Sequence, residues 1–278
     1  MNPGASDAAT SRDCHQIQSL ASPKSGGPKM SQVRVVLRIG AFVGFSAGIL
    51  AAYETRRAMT SVSGQEQLGS RYLARLTDGL LRVFGAELLV HGEPTYDGGA
   101  LVVANHQSAL DIGVMLSVFR GVLLSRHDIA DWPLLGRLAK HGDTIFVDRE
   151  DRRSGAAALR EIRRRAKEGR TVVAFPEGGT FPGDSVHEFH PGVFAAVRSL
   201  GIPIIPVGLA YAPAVPYEKE SFAKHLTSIA ARPSTRIAVH LGEPLPSDLD
   251  ARSTAEAARV RVEGLVADAR RELAGRDH

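Results

Sequence analysis

The sequence predicts an α/β protein: a single, mostly parallel-stranded sheet with flanking helices, preceded by an N-terminal membrane-associated helical segment. Three observations carry this. Short apolar runs of strand length, among them Leu101–Ala104, Thr171–Phe175 and Ile204–Leu209, alternate with longer segments of helical periodicity such as Ser154–Glu168 and Thr254–Leu273. That alternation is the mark of strands joined by crossover helices. The runs are also continuously apolar, as strands buried on both faces are. Finally, Val33–Tyr53 is the most apolar stretch in the chain.

With 278 residues and 44% hydrophobic content, the chain can build one large domain with appendages. A single cysteine, Cys14, excludes internal disulfides and fits a reducing compartment. A net charge of +4 and a pI near 9.4 suit anionic lipid surfaces or phosphorylated substrates. No nucleic-acid-binding motif is present, and 6% aromatic residues are too few for a stacking platform, so no nucleic-acid partner is expected.

Residues 1–31 are rich in Ser, Gly, Pro and Ala without apolar periodicity, and read as a disordered tail. Residues 32–60 form the membrane-associated segment and 61–278 the main domain. The uninterrupted apolar part, Ile39–Tyr53, is shorter than the about 20 residues that cross a bilayer. Counted from Val33, with Arg34 and Arg38 snorkelling, it just spans. A spanning or re-entrant membrane segment is expected, with a buried helix of a soluble core as the alternative. Gly40, Gly44 and Gly48 place small residues on one face, which suits close helix packing. Gly44–Gly48 also matches the G-x-S-x-G pattern of esterases, but that pattern needs a strand–turn–helix corner and this context is helical. Basic residues flank both ends, so charge does not orient the segment.

Further along, Leu73, Leu76, Leu80, Leu81 and Phe84 recur at helical spacing. Ala86–Val90 and Leu101–Ala104 read as strands, Ala109–Phe119 as a helix, and Val122–Leu124 and Thr144–Val147 as strands. Ser154–Glu168 is a helix whose outer face, with Arg160, Arg163, Arg164, Arg165 and Lys167, is either solvated or a contact for lipid or polyanion. Gly192–Leu200 is a helix, Arg236–Leu241 a strand, and Thr254–Leu273 closes the chain.

In open α/β sheets ligands bind at the carboxyl ends of strands, and four such ends carry notable residues. Leu101–Ala104 breaks at Asn105 into a turn with His106, and Asp111 follows five residues on. Positions five apart on a regular helix lie about 140° apart. The two therefore meet only if His106 sits in the turn and Asp111 within the first turns of the helix. An imidazole held by a carboxylate there can take a proton from a hydroxyl; alternatively His106 caps the helix and Asp111 complements its positive end. At the second end, Arg149 can clamp a phosphate bidentately or serve a structural ion pair. At the third, Phe175-Pro176-Glu177-Gly178 is either a plain tight turn or a place where backbone N–H groups approach an oxygen, with Glu177 bonding a substrate hydroxyl or Arg149. The fourth, Gly201–Val207, reads as a wall.

A hydrolytic metal site built from His106, Asp111, Glu177 and His190 lacks H-x-x-x-H or H-E-x-x-H spacing, so neither metal nor cofactor is expected. His91, His127, His141, His187, His190, His225 and His240 read as surface or structural histidines.

Asn105–Asp111 (NHQSALD), Gly142…Asp148-Arg149, Phe175–Gly178 and Ile205-Pro206-Val207, taken in order, resemble the four blocks of the glycerophospholipid acyltransferases. Within them the chain looks most like the 1-acyl-glycerol-3-phosphate (lysophosphatidic acid) acyltransferases. Ser125–Asp128 and Trp132–Gly136 are also similar, with Arg126 and Asp128 where members often carry Lys and Glu. One departure stands in the third block, where a common Thr is replaced by Gly179 and Thr180 comes one residue later.

The resemblance implies a glycerolipid acyltransferase-like fold, with 61–278 as its acyltransferase domain. It implies transfer of a fatty acyl group from acyl-CoA or acyl-carrier protein to the sn-2 hydroxyl of lysophosphatidic acid, giving phosphatidic acid. In that scheme His106 is the general base and Asp111 orients it. Arg149 binds the acceptor phosphate with help from Glu177, Arg126 is a second cation, Asn105 belongs to the substrate-binding block, and backbone N–H groups near Ser108 or Gly178 receive the oxyanion. No acyl-enzyme is needed. Lyso-ornithine lipid or another lysophospholipid is the alternative acceptor, and a non-catalytic membrane-binding module the alternative of another class. The bilayer is an implied partner, with the catalytic domain on the cytoplasmic face (of the inner membrane, if bacterial).

Overall fold

The structure, a computed structural model, describes residues 28–276 apart from 95, 132–134, 143, 149 and 216–221. Two helices lead, α1 (Pro28–Ala58) and α2 (Val62–Val83), followed by strands β1 (Ala86–His91) and β2 (Leu101–Ala104). Then come α3 (Leu110–Phe119), β3 (Val122–Arg126), α4 (Leu135–His141), β4 (Ile145–Val147), α5 (Arg152–Lys167) and β5 (Val172–Ala174). The chain ends with α6 (Gly192–Val197), β6 (Ile204–Ala212), α7 (Phe222–Ala231), β7 (Thr235–Leu241) and α8 (Ala251–Gly275).

The sheet runs β1-β7-β6-β2-β5-β3-β4. Every neighbouring pair is parallel except β6 with β7. The predicted sheet is therefore present with one refinement: β1 and β7 run against the other five strands. One face buries Val102, Val173, Ile205 and Leu209 under α1, α2, α3 and α7. The other buries Leu101, Val103, Val172 and Ile204 under α5, α6 and α8. Gly208 brings α8 close, since a Cβ there would lie 2.4 Å from the backbone of Leu265. Because β2 to β6 are parallel, the carboxyl ends of β2, β5, β3, β4 and β6 open toward one edge, where the polar residues gather.

Helices α4 and α7 were not anticipated. Phe222, Leu226, Ile229 and Ala230 carry helical spacing in α7, but the segment is short. The basic face of α5 is largely occupied: Glu161 pairs with Arg164 and Arg165, and Arg163 donates to the carbonyls of Ala196 and Arg198.

Helix α1 begins at Pro28, inside the stretch expected to be a tail; residues 1–27 of that expectation lie outside the described residues. It is long and apolar enough to cross a membrane by length and composition. Its inner face packs on the domain along its whole length, from Val35 and Ile39 through Phe42 and Phe45 to the buried Leu50 and Tyr53. Arg34 and Arg38 do not snorkel. They donate to the carbonyls of Ala231, Arg232 and Pro233 at the carboxyl end of α7, where cations satisfy orphan carbonyls and the negative end of the dipole. The opposite face, with Val33, Val36, Leu37 and Val43, is exposed and apolar. Gly40, Gly44 and Gly48 lie on that outer face, where an added Cβ would meet nothing within 4 Å; the expected close helix packing at these glycines is thus corrected. The close approach comes instead at Gly79 of α2, where a Cβ would sit 2.1 Å from the Phe45 ring.

Opposite outcomes are therefore expected for two Gly→Ala substitutions. Gly79→Ala overpacks the α1–α2 contact and lowers stability by about 1–3 kcal/mol. Gly40→Ala meets no neighbour and raises stability by about 0.5–1 kcal/mol through helix propensity. Urea unfolding in a mild detergent measures both.

Candidate active site

Strand β2 is wholly buried, and the residues after it are tied to β6. The Asn105 side chain accepts from the Leu209 N–H (2.8 Å) and donates to the Leu209 carbonyl (3.0 Å), which also accepts from Gln107 Nε2 (3.0 Å). The chain then turns. Asp111 N–H donates to the Ser108 carbonyl, and Leu110 N–H donates to Ser108 Oγ, so α3 starts at Leu110 with Asp111 in its first turn. His106 stands in the preceding turn, as the five-residue spacing requires.

Asp111 is fully buried. Its Oδ2 accepts from His106 Nδ1 (2.8 Å) and from the N–H groups of Gln107 (2.6 Å) and Ser108 (2.8 Å), and its Oδ1 accepts from the Tyr211 hydroxyl. A buried carboxylate persists as an anion when donors surround it in this way. It accepts from Nδ1, so the imidazole proton sits there and the Nε2 lone pair is left for chemistry. The His106 ring stacks on Phe175, centroids 4.2 Å apart and planes 18° apart. Burial and the Asp111 charge hold the Tyr211 hydroxyl well above its ordinary pKa, so it stays a donor.

Glu177, expected to reach substrate or orient Arg149, is found bridging two backbone segments. It is buried, with Oε2 accepting from His106 N–H (2.6 Å) and Oε1 from His187 N–H (2.9 Å). His106 O in turn accepts from Phe181 N–H (2.8 Å). The β5 loop is thus laced to the His106 turn on both sides of one residue. Burial pushes the Glu177 carboxyl up to about 7; the two N–H bonds pull it back, and the Asp111 charge adds to the rise.

The same loop explains the Gly179 departure. A Cβ at Gly179 would lie 2.9 Å from the Phe181 ring, which stacks on His187. Thr180 lines the cavity instead.

That cavity, of about 300 Å³, lies between the turn and the first two helices. Leu76, Leu80, Leu81 and Phe84 of α2 and Phe42 of α1 form its apolar wall, and His106, Gly178, Gly179 and Arg126 line its polar part. Of the expected site residues, His106, Gly178 and Arg126 line this cavity, with Asp111 buried behind His106. Asn105 and Ser108 are buried and engaged within the protein: the Asn105 amide is occupied by Leu209, and the Ser108 N–H is engaged by Asp111. Arg149 lies outside the described residues. Sequence reasoning missed Tyr211, one strand period beyond Leu209, and His225, which is buried with Nε2 at 3.0 Å from Ser108 Oγ and 3.3 Å from Ala109 N. The turn's residues alone gave no sign of these two partners, 100 and 117 positions away from the residues they bond.

A histidine held by a buried carboxylate at the mouth of an apolar cavity is equipped to take a proton from a group presented there. The family model described as Acyltransferase matches residues 87–210. A lyso-ornithine lipid O-acyltransferase of Pseudomonas aeruginosa is 30% identical, over 86% of this chain and 97% of its own length. The chain belongs to the acyltransferase family. It is also 35% identical to a lyso-ornithine lipid O-acyltransferase of Rhizobium meliloti and 31% identical to a 1-acyl-sn-glycerol-3-phosphate acyltransferase of Neisseria gonorrhoeae. Those matches span 46% and 42% of this chain, and less than half of each relative (44% and 46%). The fold is shared with the crystal structure of the 1-acyl-sn-glycerophosphate acyltransferase PlsC from Thermotoga maritima. Its TM-score is 0.63 at 20% identity, covering 84% of this chain and 96% of that one.

Two predictions follow the geometry. Asp111→Asn puts an amide where three N–H groups need an acceptor, and turnover is expected to fall by a factor on the order of 10²–10⁴. Tyr211→Phe removes one donor from a buried charge and is expected to cost about 1–3 kcal/mol in urea unfolding. A third prediction concerns pH. Because the folded Glu177 binds its proton more tightly than an unfolded glutamate, its contribution to stability is complete below about 4.5. It is lost as pH rises through about 7. The stability of wild type should decline across that window by up to about 3 kcal/mol relative to Glu177→Gln, when unfolding is measured from pH 4.5 to 8.

Proposed function

We propose that the protein transfers a fatty acyl group from acyl-CoA or acyl-carrier protein to the free sn-2 hydroxyl of a lysophospholipid, with His106 as general base. The observation that carries this reading is the His106–Asp111 pair at the mouth of the apolar cavity. The acceptor hydroxyl gives its proton to Nε2 while its oxygen attacks the thioester carbonyl. Asp111 stabilises the imidazolium that forms. The tetrahedral oxyanion is received by the Gly179 peptide N–H, the N–H groups of Ser108 and Gly178 being taken by Asp111 and by the Phe175 carbonyl. Collapse expels the thiolate, which takes the proton from Nε2, leaving the ester and a free thiol. No acyl-enzyme forms.

Lysophosphatidic acid, giving phosphatidic acid, is the acceptor favoured by the basic residues at the strand ends: Arg126 on the cavity wall and Arg149 one position past Asp148. Lyso-ornithine lipid is the second reading, favoured by the Pseudomonas relative matched over nearly its whole length. The membrane is met through α1 lying in the plane of the interface. Its inner face is held to the domain from Arg34 to Tyr53, so a transverse orientation would carry α2 and α7 into hydrocarbon; its outer face is apolar. We place the domain on the cytoplasmic face, where the thioester donors are.

The test offers radiolabelled acyl-CoA and acyl-carrier protein to purified protein with lysophosphatidic acid and lyso-ornithine lipid in parallel. Phosphatidic acid is expected from wild type and none from His106→Ala, with Arg149→Ala impaired at least tenfold. Product from lyso-ornithine lipid alone, with Arg149→Ala nearly unimpaired, selects the second acceptor. Protein covalently acylated by donor alone would overturn direct transfer.

A further inference from the structure

On the face of the sheet away from the cavity, three side chains with metal-binding chemistry converge. His91 of β1 stands in register beside His240 of β7, and the two rings stack with centroids 4.7 Å apart and planes at 30°. Both share the parity of Leu89 and Ala238, which pack under α8 with Ala269 and Leu273. Glu272 of α8 reaches over them, with Oε1 2.7 Å from His91 Nε2 and Oε2 3.0 Å from His240 Nε2. One ligand atom from each residue lies within 4.8 Å of the others. Glu272 and His240 side chains are largely enclosed, whereas that of His91 is 49% exposed.

We propose that His91, His240 and Glu272 form a binding site for one divalent transition-metal ion of the zinc class, separate from the catalytic centre. A tetrahedral ion with bonds of about 2.0–2.2 Å holds its ligand atoms about 3.3 Å apart. The present N···O separations of 2.7 and 3.0 Å reach that spacing by small side-chain rotations. The exposed side at His91 leaves the fourth position to water. Two imidazoles with one carboxylate suit zinc, nickel or copper and disfavour magnesium and calcium, which take oxygen ligands. Arg276, whose Nη2 is 3.1 Å from Glu272 Oε1, competes with the ion for the carboxylate. The ligands lie 181 and 32 positions apart in sequence, so a bound ion ties the edge strand β1 and its neighbour β7 to the closing helix.

Full-length, tag-free protein in detergent, stripped with chelator, is titrated with zinc chloride by calorimetry and with Co²⁺ by visible absorption. One ion per chain is expected, with a rise of a few degrees in unfolding temperature at saturating zinc. His91→Asn, His240→Asn and Glu272→Gln should each weaken binding at least tenfold. Arg276→Ala should tighten it several-fold, and His127→Asn should leave it unchanged. His91→Asn alters a half-exposed side chain and keeps the test decisive if His240→Asn does not fold. No zinc binding at about 100 μM free ion, or binding undiminished in His91→Asn, would overturn the proposal and leave the cluster a hydrogen-bonded network.

Discussion

A carboxylate with no access to water must be neutralised or surrounded by donors, and Asp111 takes the second course. Four donors from two elements close on it: the His106 ring, two N–H groups of its own turn and the Tyr211 hydroxyl from β6. This one charge shapes the turn, selects the imidazole tautomer and docks α3 against the sheet. Glu177 repeats the device from the other side, binding the backbone of His106 itself to the β5 loop. His106 is held less by its own packing than by two buried carboxyl groups, each wired to main chain.

What could be read in advance was what local pattern and strand-end chemistry encode. Continuous apolar runs marked the strands, and the five-residue interval placed His106 in the turn and Asp111 in the helix. What could not be read was set by partners distant in sequence. The antiparallel β6–β7 pair leaves no trace in either strand's composition, since both are buried on two faces. Glu177 looked like a ligand-binding residue because a glutamate beside glycines is exposed in most turns; here the neighbouring loop folds over it. Tyr211 and His225 acquire roles only because β6 and α7 pass beside residue 108.

Helix α1 shows the same limit in another form. Hydropathy counted its apolar residues without dividing them between two faces. Its inner residues belong to the protein core, whereas the outer ones, with the glycine stripe, face outward. The arginines that composition assigned to lipid headgroups are spent on the carbonyls ending α7, and α7 itself reaches the turn that carries His106 through His225.

The placement of β1 has a consequence for how the chain is made. It forms the sheet's edge and pairs with β7 alone, so residues 86–91 leave the ribosome long before their partner at 235–241 exists. Arg34 and Arg38 likewise wait for carbonyls near residue 231. During synthesis the central parallel strands and the packing of α2 on α3 can assemble first, while the first strand and the amino-terminal end of α1 wait for residues 231–241. Strand β1 is thus among the last elements to be secured, and a ribosome-stalled chain ending before residue 235 would leave it open to proteases.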